Sequence, residues 1–470
     1  MTTLEIAVIG SGPAGLYTAE ALIKQSAALE PPVTVRVDVI DRLVTPYGLV
    51  RYGVAPDHPS IKSIAEYLRT VLEHPDVRFL GGVHLGEDVT REDLLASYDA
   101  VVYATGAMRD RRMGIPGEDL PGSFAATDFV NWYCGHPDMS MDAFALDAES
   151  VAVIGVGNVA VDVARILVRD PAELRPTDVP QPVLETLMAS KVRDVHVIGR
   201  RGAAQAKFTT KELRELGELS GVDILVDPAE VDSATSDPAG LSALAAETDR
   251  RVRGNLAVIR GWADRPPAGD VRRLTVRFWL RPEQIEGTGR VSGLTVERTR
   301  LDETGVLTGT GELETIPVQM VLRSVGYQSV PLPGVPFDER TATVPNSEGR
   351  VLGPDRAPLP GEYVAGWLKR GPTGVIGTNK SDAAASVRSL LSDCAGGGGA
   401  EHEGAAQRGG SRRQALEDLL AARGITPVSY ADWLRVERAE AALGGELGRG
   451  ARVKLPGREA LESICRPPVS

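Results

Sequence analysis

Two glycine clusters, each preceded by an apolar run, are the residues of this chain best suited to chemistry. Glu5-Ile6-Ala7-Val8-Ile9 leads into Gly10-Ser11-Gly12-Pro13-Ala14-Gly15, and Val151-Ala152-Val153-Ile154 leads into Gly155-Val156-Gly157-Asn158-Val159-Ala160. At a strand-to-helix turn, the first glycine of such a cluster permits the tight bend. The second lets a pyrophosphate approach the backbone, and the third lets helix and strand pack closely. Ala160 in the third position is a relaxed form that the fingerprint admits. One match alone is weak. Here an apolar helical stretch and a second strand, Val33–Asp41 or Val195–Gly199, follow each cluster, so the repeat predicts two dinucleotide sites.

The residues ending those second strands differ. Asp41 would accept hydrogen bonds from ribose hydroxyls and repel a 2′-phosphate, which suits FAD or NAD and disfavours NADP. At the matching place the other unit has Arg200-Arg201. Guanidinium groups bind phosphate through charge-assisted bonds worth about 1.5–3 kcal/mol each. After desolvation losses, two of them favour NADPH over NADH by on the order of 10²–10⁴. FAD in the first site and NADP(H) in the second is the simplest assignment.

Positioning these turns calls for an α/β architecture with two Rossmann-like dinucleotide-binding domains, the NADP domain inserted into the FAD domain. The expected parts are residues 1–108 and 331–394 for the FAD domain and 109–330 for the NADP domain. A flexible Gly-rich linker over 395–411 and a helical extension over 412–470 follow. Asp99–Gly106 and Met320–Gly326 read as further buried strands. Arg412–Ala422 and Tyr430–Leu443 read as helices of an appendage packed on the FAD domain, without chemistry of its own. Thr45–Lys62 is too interrupted by Gly and Pro for a helix or a long strand. Gly366–Gly377, entering a helix, could aim backbone N–H groups at flavin carbonyl oxygens and favour the reduced flavin.

Composition narrows the function. At 470 residues the chain fits two or three domains, and its 42% hydrophobic and 25% charged residues match an ordinary soluble protein. No run approaches the roughly 18 apolar residues of a membrane helix, and no signal-peptide pattern precedes the first strand, which predicts a cytoplasmic protein without membrane insertion. Cys134, Cys394 and Cys465 form no Cys-x-x-Cys pair, so neither a redox dithiol nor a cysteine-bound metal site is expected. The net charge of −12 argues against nucleic-acid binding. Lys207, Lys211, Arg214 and the run Arg250-Arg251-Val252-Arg253 supply local positive charge, read equally well as a docking patch for an acidic protein or as a solvated face.

The segments GSGPAG, TPYGLVRYGVAPDHPSIK, GVGNVAVDVARIL, GRRGAAQAKFTTKELREL and GWLKRGPTGVIGTNK, in that order, resemble the adrenodoxin-reductase-like ferredoxin–NADP⁺ reductases, especially the actinobacterial ones, as does ARVKLP at 451–456. The resemblance covers essentially the whole chain. It implies FAD contacts at Ala14, Asp41, Leu49, Leu85, Trp367, Gly374, Val375 and Ile376. It implies NADP contacts at Arg111, Gly157, Asn158, Val159, Arg200, Arg201, Glu212 and Gly374. Position 41 is often Glu in that family, and the shorter Asp serves the same ribose role. Trp367 stands after Gly366 where wider relatives commonly carry Asp, which points to this branch. The resemblance also places His58 near the flavin, with Asp162 and Glu215 as candidates for a water-linked proton path; a purely structural histidine is the other reading.

Together these imply electron transfer from NADPH through FAD to a small iron–sulfur ferredoxin, which could in turn feed a cytochrome P450. A flavin monooxygenase, the small NADPH-oxidising subunit of a larger synthase, and a redox-sensing protein that binds both cofactors without turnover stay open at this point.

Overall fold

The computed structural model describes residues 3–231, 236–237, 240–266, 269, 271–395 and 412–466. Of the expected linker, everything after Ala395 lies outside the described residues. The chain forms two compact units, one from residues 1–109 with 327–470 and the other from 110–326.

In the first unit a seven-stranded sheet runs, edge to edge, Asn346–Ser347, Arg350–Leu352, Pro358–Val364, Ala100–Tyr103, Thr3–Ile9, Thr34–Asp41 and Val77–Gly81. The last five strands pair in parallel. Parallel strands are buried on both faces, which is why Ile6-Ala7-Val8-Ile9 and Ala100–Tyr103 are continuous apolar runs rather than alternating ones. One face packs on the helices Pro13–Ala27 and Thr378–Ala395 through Leu16, Leu22, Val387 and Leu390. The other face holds Ala7, Ile9, Tyr103 and Val364 against Leu94 and Leu368.

The C-terminal region is part of this core. The helix Arg412–Ala422 contributes Leu416 and Leu420 to one face of the sheet, and Tyr430–Glu446 contributes Trp433 and Val436 to the other. Between them Val428 exchanges two backbone hydrogen bonds of 2.8 Å with Gly81 on the edge strand, covering part of an edge that would otherwise be open to pairing. Arg413 pairs with the fully buried Asp38 at 2.6 Å, beside Arg78 and the Tyr98 hydroxyl, which bond the same carboxylate.

The second unit has a six-stranded parallel sheet in the order Ser123–Ala125, Met320–Arg323, Ser150–Ile154, Asp194–Ile198, Arg272–Arg277 and Val222–Val226. A separate antiparallel sheet of Leu280–Glu286, Gly293–Leu301 and Leu307–Ile316 is inserted before the Met320 strand. Its Leu294 and Val296 join Ala152 and Ile198 in one apolar cluster. Among the described residues no helix is long and apolar enough to cross a membrane.

Thr45–Lys62 departs from its expected irregularity. It contains two single-turn helices, Leu49–Tyr52 and Pro59–Lys62, too short to produce a readable period.

Candidate functional site

Both glycine clusters sit where a central parallel strand hands over to a helix. Gly10 has φ 108°, and a Cβ on it would lie 2.6 Å from the Ala104 carbonyl oxygen. Gly155 has φ 134°, and its Cβ would lie 2.2 Å from the Ser324 oxygen. Neither position admits another residue, because both the backbone conformation and the neighbouring strand forbid a side chain. The helix Pro13–Ala27 begins with proline in its first turn, where its missing N–H removes no intrahelical bond. The helix Asn158–Val168 begins at Asn158, followed by Val159.

The second glycine of each cluster is a different case. Gly12 has φ −73° and Gly157 φ −118°, both ordinary for any residue. A Cβ on Gly157 would meet no atom within 4 Å, and one on Gly12 only the Gly48 Cα at 3.8 Å. The protein's own packing therefore gives no reason for glycine at either place. The space is open at Gly157 and met at Gly12 only by the Gly48 Cα, which leaves both helix N-termini compatible with a pyrophosphate, so both turns fit a dinucleotide.

In the first turn Asp41 is half-buried. It accepts the Ser11 N–H at 2.7 Å and the Ser11 hydroxyl at 2.6 Å on one oxygen, and the Leu43 N–H at 2.9 Å on the other. Ala14 is buried against Gly366, whose Cβ would approach the Ala14 Cβ to 2.4 Å. The distant glycine-rich stretch is thereby packed on the turn. Gly366 donates its N–H to Asp382 at 2.6 Å, and Asp382 also pairs with Lys369 and Arg370. Trp367 donates from its indole to the Thr373 carbonyl and lies beside the Tyr327 ring at 5.5 Å. Gly374 has φ 83°, Val375 is 65% exposed, and Ile376 is half-buried. An apolar side chain so exposed on an ordered turn is a ready contact for a ligand. Leu49 opens its one-turn helix, and Leu85 is buried, bridged to Val89. His58 is buried at the head of the Pro59–Lys62 turn.

In the second turn Arg200 and Arg201 are exposed, and neither has an acidic partner among the described residues. Their backbone is held firmly. Arg200 O accepts the Thr299 hydroxyl at 2.8 Å, Arg201 O accepts the Trp279 N–H, and Gly202 lies under the Trp279 ring, where a Cβ would come within 2.3 Å. Trp279 is itself buried with φ 60°, a left-handed conformation costing of order 1–3 kcal/mol in a bulky residue. Asn158 Oδ1 accepts the Thr209 N–H at 2.9 Å, which ties the 206–209 loop to the turn. Glu212 is buried and shares the buried Arg165 with Asp162, at 3.3 and 2.8 Å respectively. Glu215 pairs with Lys211. Arg111 is exposed, its N–H donated to Gly326 O.

Ser11, Thr299 and Trp279 support these turns without being evident from sequence. Ser11 has one readable signal, a hydroxyl residue inside the glycine cluster; the other two, far along the chain, have none. Part of the basic run has internal work: Arg251 donates to the Ala206 and Phe208 carbonyls, and Arg253 to those of Ala246 and Glu247. Lys207, Arg214 and Arg250 are exposed without acidic partners among the described residues.

Residues 4–259 match the family profile of pyridine nucleotide-disulphide oxidoreductases. The chain belongs to that family. It is 45% identical over 456 residues to the NADPH-ferredoxin reductase FprA of Mycobacterium tuberculosis, covering 96% of each chain. It is 38% identical over 478 residues to the mitochondrial NADPH:adrenodoxin oxidoreductase of Bos taurus, covering 98% of this chain and 92% of the other. The solved structure of Mycobacterium tuberculosis FprA in complex with NADPH superposes with a TM-score of 0.91 at 43% identity, covering 99% of this chain and 100% of that one. Within the family the chain is an oxidoreductase of the actinobacterial ferredoxin–NADP reductase type.

Proposed function

We propose that this protein is a ferredoxin–NADP⁺ reductase, moving electrons between NADPH and a small iron–sulfur ferredoxin through FAD. The observation that carries the reading is the contrast at the strand ends. One turn closes with a carboxylate and the other with an exposed arginine pair, so one chain offers a site for an unphosphorylated ribose and one for a phosphorylated ribose.

When bound, the flavin supplies the conversion between a two-electron hydride donor and a one-electron acceptor. The chain's residues hold and orient. Gly10, Gly12, Ala14 and Gly15 form the cradle for the FAD pyrophosphate, Asp41 takes the adenosine ribose, and Leu49, Leu85, Trp367, Gly374, Val375 and Ile376 border the flavin. Gly155, Gly157, Asn158 and Val159 receive the NADP(H) pyrophosphate, Arg200 and Arg201 its 2′-phosphate, with Arg111 and Glu212 as further contacts. His58, Asp162 and Glu215 are assigned to proton handling. The exposed Lys207, Arg214 and Arg250 form the basic face for an acidic ferredoxin, which in turn feeds a cytochrome P450, in the cytoplasm.

The test is NADPH-driven cytochrome c reduction by the purified protein, with and without a small ferredoxin, at low and high salt. A large ferredoxin-dependent rate that falls with salt is expected. Fast flavin reduction by NADPH with no ferredoxin effect would send the electrons to another acceptor.

A further inference from the structure

The helix Tyr430–Glu446 and the segment after it form a buried constellation around Tyr47 and Arg51. The Thr45–Ala55 stretch meets the first glycine turn at one step. There the Tyr47 N–H donates to Ser11 O at 3.0 Å, and a Cβ on Gly48 would lie 2.8 Å from the Gly12 Cα. Both residues of that step are left-handed, Tyr47 at φ 81° and Gly48 at φ 49°. A tyrosine keeps such a backbone only where its surroundings impose it.

One face of the helix Tyr430–Glu446 imposes it. The Tyr430 hydroxyl lies 3.2 Å from that of Tyr47, and the Trp433 ring meets the Tyr47 ring edge-on at 6.4 Å. The Arg51 guanidinium sits 4.8 Å over Trp433 and makes a two-point ion pair with Glu440. Lys454, beyond the helix, donates to the Arg51 carbonyl. Arg51, Trp433, Glu440 and Lys454 are 4%, 0%, 0% and 1% exposed. Leu455 adds its N–H to Glu440 at 3.1 Å. A buried two-point arginine pair constrains orientation as well as distance, which a hydrophobic contact does not.

We infer that the helix Tyr430–Glu446 is a positioning brace for FAD: through Tyr430, Trp433 and Glu440 it presses the Tyr47–Gly48 step onto Gly12 and so closes the first turn over its ligand. This rests on the reading of that turn as the FAD site. None of the three residues needs to touch the flavin; each acts through Tyr47 or Arg51.

The experiment compares holoenzyme with Glu440→Gln and Tyr430→Phe variants. Flavin release, read by FAD fluorescence, is followed against unfolding, read by far-UV circular dichroism, on heating and as a release rate at 25 °C. Release is expected to quicken about tenfold in Glu440→Gln and about fivefold in Tyr430→Phe, the latter matching one modest hydrogen bond. In both, the flavin should leave several degrees below the dichroism transition. If Glu440→Gln does not fold, Tyr430→Phe, which removes a single hydroxyl from a half-buried residue, decides alone. Coincident transitions with release within twofold of the parent would overturn the brace and leave the helix a merely structural element. A parent protein purified without flavin would overturn the FAD reading itself, and the brace with it.

Discussion

The two glycine turns are alike at their first glycine and unlike around it. Gly10 and Gly155 each bend under the carbonyl of a residue just beyond the neighbouring strand, Ala104 in one unit and Ser324 in the other. The third position then diverges: a Cβ on Gly15 would lie 1.8 Å from Gly10 O, whereas the second turn carries Ala160, fully buried. Outside the helix the contrast widens. The first turn is roofed by its own chain at Gly48 and packed against Gly366, while nothing lies within 4 Å of the Cβ direction of Gly157. The acid of the first turn is anchored by Ser11 and Leu43, and the arginines of the second stand in solvent without an acidic partner among the described residues. A roofed turn with an anchored acid suits a resident cofactor, and an open turn edged by such arginines suits a substrate that comes and goes. Dialysis of the purified protein is expected to remove NADP(H) and retain FAD.

The two turns differ most sharply at the third position. Gly15→Ala sets a methyl group on a backbone oxygen that cannot move away, so no soluble flavoprotein is expected from that variant. A yellow, thermally unchanged Gly15→Ala protein would show that the first turn is not closed as described. Next in size is the arginine pair. Arg200→Ala with Arg201→Ala should raise the KM for NADPH on the order of 10²-fold and leave that for NADH within about twofold. Equal losses with both nucleotides would remove the 2′-phosphate assignment.

Gly157→Ala sharpens the contrast at smaller scale. Its methyl group enters open space, so unfolding should shift by no more than about 0.5 kcal/mol. On the proposed placement of the pyrophosphate at this turn, the KM for NADPH should nevertheless rise about tenfold. Unaltered NADPH kinetics would mean that the space belongs to something else.

The smallest effect concerns Asp110, the first residue of the second unit. Burial pushes its carboxyl up to about 6, only partly offset by the Thr127 N–H it accepts. The folded protein thus holds this proton more tightly than the unfolded chain, so ionising Asp110 costs stability. The cost is absent below the ordinary carboxylate range, grows as pH rises to about 6, and is complete above it. Asp110→Asn should therefore gain about 1–2 kcal/mol at pH 8 and nothing at pH 4. A thermal-melting difference independent of pH would show that Asp110 is not the group responsible.

Much of the architecture and the centres of both turns could be read from residues alone. The reason is local: a strand-to-helix turn that must bend and bare its backbone admits only glycine at set spacings, and the strand-end residue lies at a short, regular distance from it. Gly10, Gly15 and Gly155 are forced by backbone geometry, while Asp41 and Arg200-Arg201 are legible as residues of opposite charge at matching strand ends. The short helices within Thr45–Lys62 leave no mark in the sequence because one turn has no period to detect.

The pair of parallel-sheet units, their two glycine turns and the opposite charge at their strand ends follow from residue order alone. What holds those turns in shape follows from packing between distant segments. Trp279 and Thr299 fix the arginine backbone, Gly366 seats against Ala14, Arg251 bonds the Ala206 and Phe208 carbonyls, and Tyr430, Trp433 and Glu440 brace Tyr47 and Arg51. Such contacts join residues far apart in the chain. They depend on shape and burial after folding, and neither periodicity nor spacing records which distant side chains will meet.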